Sequence, residues 1–175
     1  MNKYVNRFRF KDEVCYIDCF DTKGTLKGTI IIDKEDYDLV KEHQWHVEKA
    51  RRNLQYGQTT IKGSVPAKTV RMHRMLIPEA IQIDHINHNG LDNRRCNLRA
   101  CNNRENNCNK NFQMNPKSGH TGIRYNEKAS SYYVRIMVHK KEISLGHYKT
   151  IEEALEARKQ GEIKYFGNFR YNRNA

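Results

Sequence analysis

Several kinds of feature are scarce or missing in this sequence. No apolar run approaches the ~18 residues that a spanning helix needs, and no charged start, apolar stretch and small-residue cleavage site marks a secretory leader. The expectation is a soluble, cytoplasmic protein with no membrane partner. Cysteine is sparse and irregular, at positions 15, 19, 96, 101 and 108, with no CxxC pair. An odd count without regular spacing argues against a disulfide framework and for a reducing compartment. With three prolines and ten glycines in 175 residues, there is no low-complexity tract and no internal repeat. Hydrophobic residues make up only 37%, so the core is modest, in one large domain or two small ones.

What the chain has instead is positive charge, and it is unevenly placed. The net charge is +12, yet residues 1–50 hold nine Lys/Arg against ten Asp/Glu. Residues 51–120 hold twelve against four, and residues 121–175 eleven against six. A field of this sign over the last two thirds of the chain favours a polyanion, most often nucleic acid.

The pattern predicts an α+β protein. Residues 13–20 and 25–32 read as strands joined by the turn DTKG. Asp33 is expected to cap a helix over KEDYDLVKEH, and residues 45–63 to form a strand pair around a basic loop. TVRMHRMLIP is a short strand or helix closed by Pro78. Residues 1–80 are taken as a scaffold and approach surface. In 81–112 the order is strand (IQIDHI), turn (NHNG, with Gly90 able to take positive φ), strand (RRCNLR) and a polar helix. Pro116 and Gly119 mark a linker over 113–119. A module over 120–171 follows, with three antiparallel strands and a helix that starts at a Thr150–Glu153 capping box.

Asparagine is concentrated between 87 and 107, around the pair Asp84–His85 at a predicted strand end. A carboxylate is a hard oxygen ligand for a divalent ion, and a neutral imidazole beside it can act as general base. Asn106 offers a neutral oxygen ligand, and the Asn97 amide can bridge backbone groups and pin the loop that carries His85. Asp-His followed by Asn and Gly is equally a good plain turn sequence, so residue types alone leave both readings open. Arg94, Arg95, Arg99 and Arg104 tilt the balance toward a phosphate-containing substrate.

The stretch DHINHNGLDNRRCNLRACNNRENN resembles the His-Asn-His (HNH) motif of phage and intron-encoded homing endonucleases. MHR at 72–74 and DKEDYDLVKEHQWHV resemble the part of that family that precedes the motif. The resemblance implies a ββα-metal core preceded by a β-rich extension, with His85 activating water, Asn97 orienting its loop, and Asp84 and Asn106 binding one divalent ion. The last motif position is Asn106, where the name-giving pattern has His, and an Asp/Asn oxygen set favours Mg²⁺ or Mn²⁺ over zinc. Cys96, Cys101 and Cys108 are expected to be small packing residues. His73 is a possible accessory to catalysis, although a packed structural role is the more ordinary one, and His88 is a weaker candidate.

The segment SGHTGIRYNEKASSYYVRIMVHKKEISLGHYKTIEEALEARKQGEIKYFGNF resembles the APETALA/ethylene-response-factor type of DNA-binding domain. The resemblance places its three-stranded sheet in a major groove. Arg124 and Arg135 match or lie close to contact positions, and Thr121, Asn126, Met137 and Ser144 hold other groove-facing ones. Lys140 and Lys141 suit backbone phosphates. Val134 and Ile136 are expected to pack on the helix. The combined expectation is a metal-dependent endonuclease that nicks or cuts double-stranded DNA, as a monomer or homodimer. The alternative is a DNA-binding regulator with an inactive nuclease core.

Overall fold

In the computed structural model, the residues described are 5–50, 54–108 and 118–169. The chain divides into two compact units between Asn103 and Arg104. The fold is α+β, with several small antiparallel sheets and few, mostly short helices.

The first unit is built on the hairpin β2 (Val14–Phe20) and β3 (Leu26–Asp33). Alternation along β2 sends Cys15, Ile17 and Cys19 inward, where they meet Ile30 and Ile32 of β3, all at 1% exposure or less. Asp21 shapes the turn by accepting from the backbone N–H groups of Lys23 and Thr25. A strand that the sequence did not announce, β1 (Val5–Lys11), pairs with β2 as a third member. Asn6 ties it to the core residue Trp45, whose N–H donates to Asn6 Oδ1 (2.8 Å) and whose carbonyl accepts from Asn6 Nδ2 (2.9 Å).

The helix expected after Asp33 is short. A 3-10 turn (Lys34–Asp36) runs into a single helical turn, α1 (Tyr37–Val40), and Asp33 makes no cap bond. Its carboxylate instead accepts from the backbone N–H of Arg95 at 2.6 Å. A second sheet, in the order β4 (His46–Lys49), β5 (Gln55–Ile61), β6 (Lys68–Arg71), leads into α2 (Met72–Leu76). The pair β7 (Gln82–His85) and β8 (Leu98–Cys101) follows, and then α3 (Asn103–Cys108). The second strand begins later than RRCNLR suggested, because residues 94–97 are used by the loop before it. Ile83, Leu91 and Leu98 share one core with Ile17, Ile30, Trp45 and Met72, so residues 81–103 fold with the strands before them.

The second unit holds a sheet in the order β9 (Ile123–Asn126), β10 (Ser131–Val138), β11 (Lys141–Tyr148) and the helix α4 (Ile151–Phe166). Val134 and Ile136 are buried as expected, and Val134 packs with Ile123 and Ala154 of α4. The Thr150–Glu153 capping box forms with both of its bonds. The helix face is set by small residues: Leu145 lies against Gly161, where an added Cβ would stand 2.5 Å from a leucine methyl. Most of the expected linker lies outside the described residues. No helix among the described residues is long and apolar enough to cross a membrane.

Candidate active-site loop

Asp84 and His85 end β7, and the chain returns at Leu98, which pairs with His85 across the ladder. The twelve residues between, 86–97, form a closed loop with its own hydrogen-bond framework. Asn97 is 5% exposed and joins its two legs. Its side-chain oxygen accepts from the Asn87 N–H (2.9 Å), its amide donates to the Asp92 carbonyl (2.7 Å), and its backbone carbonyl accepts from Ile86 N–H (2.9 Å). Asp92 carries a second set of bonds. Arg94 grips both carboxylate oxygens (2.8 and 2.7 Å), and Asn87 donates to one of them. Burial by itself pushes the Asp92 carboxyl up, but these donors outweigh it and hold it below its ordinary value. The loop is also fastened to β3, where Ile31 N–H donates to the Leu91 carbonyl and Asn93 N–H donates to the Ile31 carbonyl.

The tight packing explains Gly90, which was expected to supply positive φ. Among the described loop residues, the non-glycine at positive φ is His88 (φ 63°). Gly90 serves close approach instead: an added Cβ would lie 2.3 Å from the Gln55 carbonyl oxygen and 2.6 Å from the Tyr56 ring.

His85 is 7% exposed. Its Nε2 lies 3.3 Å from Asn93 Oδ1. The Asn93 amide nitrogen faces the carbonyls of Leu91 (3.1 Å) and Gly90 (3.5 Å), which fixes which end of the amide is oxygen. His85 Nε2 therefore carries the proton, and the lone pair is on Nδ1. Burial is the main influence on its pKa and lowers it, while Asn93 and the nearby Asp84 and Asp92 act the other way. The ring is thus neutral near pH 7. His73 meets it edge to face at 5.1 Å between centroids, and Tyr56 lies 5.8 Å from His73 and 5.9 Å from His85. Burial pushes His73 down to about 3, with His85, Arg71 and Arg74 adding to the effect. His73 Nδ1 is buried with no hydrogen-bond partner among the described residues.

The arginines were expected to face phosphates, and three of them have carboxylate partners within the chain. Arg94 holds Asp92, and Arg95 holds the buried Asp36 (2.7 Å). Arg99 sits directly across the ladder from Asp84 and places two nitrogens on Asp84 Oδ2, at 2.6 and 2.9 Å. Interleaving arginine with asparagine is thus explained first by loop construction. The side chain of Arg104 lies outside the described residues. Asn106 is on α3, half-buried, in the second unit. In that unit Arg124, Lys140 and Lys141 are exposed, and Arg135 is exposed but paired with Glu142. Cys101 is buried as a packing residue would be, whereas Cys96 is exposed, which corrects its expected role.

A viral HNH endonuclease is a distant relative of this chain. The protein, named as an uncharacterized HNH endonuclease of Acanthamoeba polyphaga mimivirus, is 28% identical over 128 residues, which is 68% of this chain and 62% of its own. The chain therefore spans less than two thirds of the relative it matches. No protein-family model matches the chain, and no solved structure does. Nothing in these comparisons supports a domain of the APETALA/ethylene-response-factor type. Nor do three or more His, Cys, Asp or Glu side chains converge as a metal cage among the described residues.

The asparagine-rich composition pointed to Asn87, Asn89 and Asn93 as residues that shape the loop, without saying which amide meets the histidine, and residue types did not distinguish Asp92 or Tyr56 as parts of this site. Tyr56 comes from β5, and nothing near it in sequence points to the loop.

Proposed function

We propose that the chain is a metal-dependent DNA endonuclease of the HNH class, with 84–106 as a ββα-metal site. The observation that carries the proposal is the tautomer of His85. A buried, neutral imidazole whose Nε2–H is held by Asn93 keeps its lone pair on Nδ1, the state a general base needs. In this reading His85 takes a proton at Nδ1 from a water aligned with the scissile phosphate. Asn97 keeps the loop closed while His85 cycles between neutral and charged, and His73 packs against the ring to limit its rotation. Asp84 and Asn106 are the oxygen donors proposed for the ion, and donors of that chemistry suit a hard cation such as Mg²⁺ or Mn²⁺. When bound, the ion would supply charge to stabilise the pentacoordinate phosphate. The second unit, with its exposed cations, would add affinity for DNA, and cleavage of both strands would need two engagements or two copies.

One observation favours a second reading. The Arg99 guanidinium already neutralises Asp84. If that pair never opens, the protein is a DNA-binding regulator with an inactive nuclease core. Incubating the chain with supercoiled plasmid that carries its native flanking DNA, in Mg²⁺ or in EDTA, separates the two. The enzyme reading expects Mg²⁺-dependent nicked or linear product. Binding without product in any divalent metal would establish the regulator.

A further inference from the structure

The outer face of the second unit's sheet carries chemistry that the proposed nuclease site does not use. Pairing along the ladders puts Arg124 of β9, Tyr133 of β10 and His147 of β11 directly opposite one another, in one row across all three strands. The Tyr133 and His147 rings are 4.9 Å apart and inclined by 33°. With Tyr125, Asn126, Glu127 and Lys128 they line an open groove of about 690 Å³. Folding does not require these rings here, because the core lies on the opposite face, where Ile123, Val134 and Ile136 are buried.

We propose that this row is a stacking platform for unpaired bases of single-stranded DNA. Ring faces match the faces of bases, which a duplex hides within its own stack, and the Arg124 and Lys128 cations match the phosphates between them. The same face is poorly built for a duplex laid flat on it. Arg135, the side chain best suited to a guanine edge, is held by Glu142, which also accepts from the Tyr133 hydroxyl at 3.1 Å. That carboxylate would repel a phosphate, which a rigid duplex laid flat cannot steer away from it and a flexible single strand can. The choice of DNA over RNA rests on the proposed nuclease function, but the stacking argument does not.

Fluorescence anisotropy on the full chain in EDTA tests this without any cleavage. The probe is a labelled single-stranded DNA of about a dozen nucleotides, compared with its blunt duplex and with RNA of the same sequence. Single-stranded DNA should bind more tightly than the duplex. Tyr133→Ala and His147→Ala should each weaken it by roughly 5- to 150-fold, while Tyr133→Phe, which keeps the ring, should retain binding. Arg124→Gln should lower the salt slope by about 0.7. The duplex binding as tightly as the single strand, or folded alanine variants binding unchanged, would overturn the platform. Tighter binding of RNA would overturn the choice of DNA. A chain that never cleaves would leave this result standing, so the two proposals fail separately.

Discussion

Replacing Asn97 with Ala should loosen the loop without unfolding the first unit. The side chain satisfies two backbone groups in a buried setting, the Asn87 N–H and the Asp92 carbonyl. An unsatisfied buried polar group costs about 1–3 kcal/mol, so losing both partners should cost roughly 2–6 kcal/mol, toward the lower end because the Asn87 N–H is only partly buried. A domain this size is commonly stable by about 5–15 kcal/mol, so most molecules remain folded. The transition of the first unit should fall by at least about 8 °C. Hydrogen exchange gives the local readout: the Asn87 amide should lose protection even where amides of β2 and β3 keep theirs. Asn97→Asp should behave differently at its two ends. Its carboxylate can still accept from Asn87, but above its pKa it sets two acceptors against each other at Asp92. If Asn97→Ala left Asn87 exchange unchanged and melted within about 2 °C of the parent, the clasp would not be what closes the loop.

Gly90→Ala places a methyl against the Gln55 carbonyl oxygen, which side-chain rotation cannot move, and should cost roughly 1–3 kcal/mol in urea unfolding. Thr150→Ala removes the capping box of α4 and should destabilise the second unit by about 1 kcal/mol, leaving the first transition in place. The pH response follows from His73, which the fold pushes down to about 3 from an ordinary 6.5. Between those values the unfolded chain holds the extra proton. The full contribution is therefore present above the ordinary value and is lost as pH falls toward 3, with a slope of up to ~1.4 kcal/mol per pH unit. His73→Phe should flatten the acid limb of a stability–pH curve by about one proton, and an unchanged slope would show that His73 is not the titrating group.

The parts of this fold that were legible in sequence are those decided by near neighbours. The β2–β3 hairpin follows from apolar alternation on both sides of DTKG, and the start of α4 follows from Thr150 and Glu153. The parts that were not legible depend on distant partners. β1 reads as a charged, polar run because Arg7 and Arg9 alternate with Phe8 and Phe10. It pairs all the same, since Asn6 reaches Trp45 and Arg9 reaches the buried Asp18. Asp33 has the form of a helix cap, but its carboxylate is taken by the Arg95 N–H, 62 residues away. The same applies at the candidate site. Its Asp-His pair and the bridging capacity of Asn97 could be read from residue types and spacing. The arginines could not, because a guanidinium that buttresses Asp92 or Asp36 has the same one-dimensional signature as one that waits for a phosphate.

In the proposed nuclease His85, held as the Nε2–H tautomer by Asn93, removes the proton from the attacking water. The most direct measurement is single-turnover cleavage, in Mg²⁺, of DNA carrying the native flanking sequence, by the parent and by His85→Ala shown to be folded by its Asn87 amide protection. The expected result is product from the parent and a loss of roughly 100-fold or more in the variant, with DNA binding retained. Cleavage by folded His85→Ala at the parent rate would contradict it.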